Sequence, residues 1–147
     1  MNKDYKIIRA TEEYQRAGAY YVRIYAMNRA HHISLREEFD DFDNEKTKYI
    51  VILDDEYPIA TARFYETSKD SVTLGRVVVI PEYRGQKLGK RVVDEAEKWI
   101  KELGYTIINI DSRIEMLDFY KKLGYSIINN DIIKSGNFDC IKMHKTI

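Results

Sequence analysis

The stretch from Ser71 to Leu103 constrains the fold most, because its hydrophobic pattern changes period at a single turn. Residues 71–80 form an apolar, β-branched run that ends at Pro81, as a buried strand does. Beyond the turn, Leu88, Val92, Val93, Ala96, Trp99, Ile100 and Leu103 recur near every 3.6 residues, and Gly104 follows where a helix stops. A strand, a tight turn and a helix start leave backbone N–H groups unpaired at the positive end of a helix. Such an end binds phosphate. Arg84, Lys87, Lys90 and Arg91 crowd the same place with positive charge. The ligand this predicts is a pyrophosphate or similar polyanion. Two common nucleotide signatures fail here. Gly85 and Gly89 are separated by three residues where a Walker loop has four, Arg91 stands where that loop needs Ser or Thr, and no G-x-G-x-x-G is present.

The rest of the pattern is mixed. Residues 5–10 read as a strand and 12–28 as a helix with Thr11 as N-cap. Residues 33–44 read as a short helix and a loop, whose acidic run 37–43 is expected on a solvated face or beside a pocket for a cationic amine. Residues 48–53, 59–67 and 71–80 read as an antiparallel meander. After the 88–103 helix come a strand at 105–110, a shorter helix marked by Ile114, Leu117, Tyr120 and Leu123 and closed by Gly124, and strands at 125–129 and 138–144 that turn near Ser135-Gly136-Asn137. The strand–helix–strand unit implies one parallel crossover, so the expected class is α/β, with a mixed sheet and helices on both faces. No repeat or linker breaks the chain, so residues 1–147 are expected to form a single domain.

Composition narrows the function classes. Lys plus Arg and Asp plus Glu balance at 24 each, which gives no global attraction to nucleic acid or to an anionic membrane. The apolar runs are far shorter than the ~20 residues of a membrane helix. The opening residues 1–6 carry no apolar region of a signal peptide. The one cysteine, Cys140, cannot form an intrachain disulfide, and no Cys/His set has metal spacing. A cytoplasmic protein without a metal is expected.

On Arg84-Gly85-Gln86-Lys87-Leu88-Gly89, with its apolar lead-in Val77-Val78-Val79-Ile80-Pro81, the chain resembles the GNAT superfamily of N-acetyltransferases, whose signature at a strand-to-helix junction is [QR]-x-x-G-x-[GA]. Lys87 departs from it by replacing the usual glycine, as in an ElaA-like branch that stretches 59–64 and 74–79 also resemble. Downstream, Met116-Leu117-Asp118-Phe119-Tyr120-Lys121-Lys122-Leu123-Gly124-Tyr125 is similar to the family's N-x-x-A-x-x-[FL]-Y-x-x-x-G-[FY], with Arg113 and Met116 replacing its Asn and Ala.

The resemblance implies a GNAT-type, mostly antiparallel sheet splayed at its centre and acetyl-CoA as cosubstrate. It implies cofactor contacts from Arg84, Gly85, Gln86, Lys87, Leu88, Gly89 and Lys90, and main-chain contacts from Val77 and Val79 to the pantetheine arm. Tyr120 is the implied general acid toward the departing thiolate, a role that suits a phenol protonated at neutral pH. The implied acceptor is a small-molecule or peptide amine, and a homodimer stays open. Glu66, Asp111, Glu38 and His32 are acid–base candidates by residue type alone, each more often structural or at the surface. Arg63 and Arg76 lie inside strands, where an arginine needs a partner. A structural ion pair and a pocket role are both open for them. Two other readings of the chain stand beside the enzyme: a non-catalytic acyl-CoA-binding or sensing module, and an acyltransferase for longer acyl groups.

Overall fold

A computed structural model describes residues 4–147, so of the opening segment Met1 to Lys3 lie outside the described residues. In chain order the elements are β1 (Lys6–Ala10), α1 (Glu13–Arg23), α2 (Arg29–His31), α3 (Leu35–Glu38), β2 (Lys48–Asp54), β3 (Tyr57–Ser68), β4 (Ser71–Val79), α4 (Leu88–Glu102), β5 (Ile107–Arg113), α5 (Leu117–Lys122), β6 (Ser126–Ser135) and β7 (Phe138–Thr146). The strands form one seven-stranded sheet in the order β1-β2-β3-β4-β5-β7-β6. Every pairing is antiparallel except β4 with β5. The mixed class and the mostly antiparallel sheet expected from the sequence are therefore found.

Strand alternation assigns the two faces. Val51 of β2 packs under α1, where a Cβ on Gly18 would lie 3.6 Å from its Cγ1. On the opposite face Phe64 of β3 meets Trp99 of α4 edge-on at 5.3 Å. The apolar stripe read from the sequence is the buried side of α4: Leu88, Val92, Val93, Ala96 and Ile100.

Local details differ from the sequence reading. The N-cap of α1 is Glu12 rather than Thr11, because the Gln15 side chain reaches back to accept from both Thr11 N at 2.8 Å and Glu12 N at 3.0 Å. The helical path then runs through a π turn at Ile24–Asn28 into α2 and stops at His32, whose φ is +54°. β6 is twice the expected length. Asn129, Asn130 and Asp131 read as a strand end, but they only interrupt its pairing with β7 between Ile127 and Ile132.

The largest correction concerns the acidic run. Asp41 and Phe42 are exposed, but the run is not a solvated face as a whole. Glu38, Asp40 and Asp43 together hold Arg23, Arg63 and Arg76. Arg23 is fully buried, with Glu38 at 2.8 Å and Asp43 at 2.7 Å. Arg63 is buried with Asp43 at 2.7 Å and Asp40 at 2.9 Å. Three cations face three carboxylates, so the network is neutral as a whole. Removing one member leaves a buried charge without its partner, which costs about 3–5 kcal/mol.

Burial alone would push the Asp43 carboxyl up, but hydrogen bonds and attraction from Arg23, with Arg63 behind it, outweigh burial and hold it well below the ordinary range. A depressed carboxyl contributes stability above its unfolded pKa of about 3.9 and loses it as pH falls below that. Asp43→Asn is expected to lower stability by about 3 kcal/mol at neutral pH. The variant should also lose less melting temperature than the parent between about pH 5 and pH 2. Thermal melts across that range check both outcomes.

Candidate active site

The site begins where two strands part. β4 and β5 pair only over Ser71–Ile107, Val72–Ile108 and Thr73–Asn109. Beyond that point β4 stays with β3 and β5 with β7. The splay expected at the sheet centre is therefore present. β4 also carries a bulge: its register with β3 moves from Arg63–Gly75 to Thr61–Val78, so Arg76 and Val77 together oppose Ala62. Arg76 takes a left-handed φ of +48° there. The extra residue turns Val77 and Val79 toward α4 and α5. Ile80 N donates to Ile59 O at 3.0 Å, which makes Val79–Ala60 a pair without mutual hydrogen bonds. The N–H and C=O of Val79 therefore point away from β3, into the gap.

The gap opens into a cleft of about 620 Å³, and Val77, Val79, Arg84, Gly85, Lys87, Leu88, Gly89, Lys90 and Tyr120 all line it. Gln86 does not. Its side chain turns outward, accepting from the Tyr5 hydroxyl at 3.0 Å. Arg91 is likewise spent elsewhere, on Tyr5 O at 3.2 Å. Arg84 folds back to donate from Nε to Val79 O at 3.2 Å. Lys90 pairs with Asp94 at 2.7 Å.

The turn itself depends on left-handed backbone. Gly85 has φ +86°, and Lys87, the residue before α4, has φ +62°. Glycine adopts this region freely, whereas an L-side chain there costs about 1–2 kcal/mol. This is a physical reason for the glycine that Lys87 replaces. Gly89 serves packing: a Cβ at this position would stand 3.3 Å from the Phe119 ring of α5.

Tyr120 lies on α5 across the cleft from this turn, buried and ring-packed on Phe119 at 5.0 Å and Tyr125 at 5.9 Å. Burial pushes its phenol well up, so the hydroxyl keeps its proton at neutral pH. Burial also pushes up the Cys140 thiol, which lines the same cleft.

The sequence profile of the Acetyltransferase (GNAT) family matches residues 9–125. The chain belongs to this family. An uncharacterized acetyltransferase of Streptococcus pyogenes is 28% identical to it over 113 residues, 77% of either chain. A Lactobacillus plantarum protein assigned as an N-acetyltransferase superposes with a TM-score of 0.89 at 29% identity, over 98% of this chain and 99% of that one. ElaA of Escherichia coli shares the fold, with a TM-score of 0.81 over 97% of this chain and 99% of its own, at 15% identity.

In this GNAT protein the acid–base candidates separate. Glu66 accepts from the Tyr105 hydroxyl at 2.6 Å and lies off the cleft, as does the exposed His32. Glu38 lines the cleft but is held by Arg23 and Arg76. Asp111 lines it and pairs with Lys142 at 3.5 Å. Arg63 and Arg76 both belong to the ion network, and Arg76 also reaches the cleft wall.

Sequence reasoning missed the far wall of the cleft, formed by Met27, Ile33, Arg113 and the β6–β7 turn with Phe138. No local signal marks these residues as a group, because they come from four separate stretches of chain. The turn predicts two opposite stability changes. Lys87→Gly is expected to stabilise the fold by about 1 kcal/mol through relief of the left-handed side chain. Gly89→Val is expected to cost about 1–3 kcal/mol by displacing Phe119. Chemical denaturation of the two variants beside the parent checks both signs.

Proposed function

We propose that this protein transfers an acetyl group from acetyl-CoA directly to a primary amine, with Tyr120 as general acid. The observation that carries the reading is the fork between β4 and β5, bounded at one side by a helix N-terminal turn and at the other by a buried tyrosine. The N–H of Val79, whose C=O already accepts from Arg84, suits an amide carbonyl of a pantetheine arm lying as a false strand. The turn from Arg84 to Gly89 suits the pyrophosphate, through its N–H groups and the positive helix end. The raised thiol of Cys140 disfavours an acetylated cysteine, since the thiolate is the nucleophile.

The chemistry then runs in one attack. The neutral amine nitrogen bonds to the thioester carbonyl carbon, and a strand N–H stabilises the developing oxyanion. As the C–S bond breaks, Tyr120 gives its proton to the sulfur. The proton released by the new amide nitrogen leaves through water and restores the phenol. The products are the N-acetyl amine and free coenzyme A.

The test is thiol release from acetyl-CoA over a panel of primary amines, together with the melting temperature with and without coenzyme A. Turnover with an amine and a ligand-dependent rise in melting temperature are expected. No thermal shift at millimolar coenzyme A overturns the proposal. Tyr120→Phe keeps the ring contacts with Phe119 and Tyr125. It should therefore lower kcat by about 10²–10⁴-fold while coenzyme A affinity and melting temperature hold. Unchanged kcat in that variant removes Tyr120 from the mechanism.

A further inference from the structure

The far end of the cleft has a charge pattern that the donor reading does not use. Two guanidinium groups line it, and both are committed. Arg76 is held by Asp40 at 3.3 Å and Glu38 at 3.4 Å. Arg113 is held by Glu115 at 3.1 Å and lies over the Phe138 ring at 4.2 Å. Arg76 therefore already faces two carboxylates and Arg113 one.

Among the cleft carboxylates Glu38 is held in the ion network, and Asp111 is less committed. Asp111 lies two residues past Asn109 and Gly75 two residues past Thr73, so each stands just beyond the last β4–β5 pair, on its own arm of the fork. Both residues alternate onto the face that carries α1. Nothing stands within 4 Å of a Cβ built on Gly75, so the Asp111 side of the fork opens onto free space. The ion partner of Asp111 is Lys142, an exposed side chain at the long distance of 3.5 Å.

This end is also roofed. The β6–β7 turn reaches across to α3, where a Cβ on Gly136 would lie 3.7 Å from Glu37 O. Phe138 meets His31 edge-on at 5.3 Å beside α2. Met27, Ile33 and Phe138 supply apolar wall.

From this geometry, and resting on the acetyltransferase reading above, we propose that the acceptor is a small, unbranched primary amine without a carboxylate beside its nitrogen, and that Asp111 binds its ammonium, which loses one proton to water before the neutral nitrogen attacks. A bare alkylammonium finds a carboxylate at the fork and apolar wall behind it. An α-amino acid brings a second, negative group to a pocket whose arginines are already paired. Burying that group without a partner is unfavourable. A folded protein surface is kept out by the turn over the cleft.

The test compares pentylamine with norleucine, which differ by one carboxylate, as acceptors for acetyl-CoA. The parent should show kcat/KM for pentylamine at least about tenfold above norleucine. Asp111→Asn should raise the pentylamine KM about tenfold or more, while the KM for acetyl-CoA and the melting temperature stay within error. A merely structural Asp111 would move the melting temperature and both KM values together. Lys142→Ala removes the competing ammonium and should leave the pentylamine KM equal or lower. The inference is overturned by a preference for norleucine, by an unchanged pentylamine KM in Asp111→Asn, or by turnover of other amines but of neither probe. Failure of the acetyltransferase reading looks different: the parent then shows no thermal shift with acetyl-CoA, and both readings fall.

Discussion

Everything functional in this molecule follows from the early parting of β4 and β5. Parallel strands normally continue a ladder for their shared length, because unpaired backbone groups inside a protein are costly. Here the ladder stops after Thr73 and Asn109, although both strands run on. The parted strands remain ordered because each keeps its other neighbour, β3 for β4 and β7 for β5. The bulge at Arg76 adds a residue to β4 where it leaves its partner, and so turns Val77 and Val79 toward the side where α4 begins. The cleft is thus a property of strand pairing, and the side chains around it refine what it can hold.

The two faces of the sheet keep the fork open by different means. On the α4 face the support is apolar burial from Leu88 to Ile100, with Phe119 seated against Gly89. On the α1 face the support is ionic: Arg23, Arg63 and Arg76 tie the 38–43 segment to the strands. Buried ion pairs gain little net stability over apolar packing, but they fix geometry strongly once formed. In this fold they tie the end of α3 to α1 and β4, and the β6–β7 turn lies against α3 at Gly136. The resulting cleft has Arg84 and Lys87 at the turn end, and paired charges, Arg76 and Arg113 beside Glu38 and Asp111, at the other.

Much of this was legible in the sequence. The change of period at Pro81, the stripe from Leu88 to Ile100 and the stops at Gly104 and Gly124 are local signals, and local backbone preference decides them. The turn residues 84–89 were readable for the same reason, since a strand end and a helix start adjoin in the chain. Gln86 was misplaced because sequence gives the order of residues in a turn but not which side chains rotate outward. The acidic run was misread because its three arginine partners are remote in sequence: Arg23 lies on α1, Arg63 on β3 and Arg76 on β4.

By itself, then, the sequence determined the main element types, the strand-to-helix turn at residues 84–89 and the place of the tyrosine on α5. Those depend on periodicity, on residues that allow or forbid left-handed backbone, and on contacts a few positions apart. Only the tertiary structure decided where the ladder between β4 and β5 ends, that Glu38, Asp40 and Asp43 turn toward three arginines, and that Asp111, Phe138 and Met27 line one cleft. Each of those outcomes joins groups far apart in the chain. No local pattern encodes such a meeting, because its energy comes from burial and pairing that exist only once the sheet is assembled.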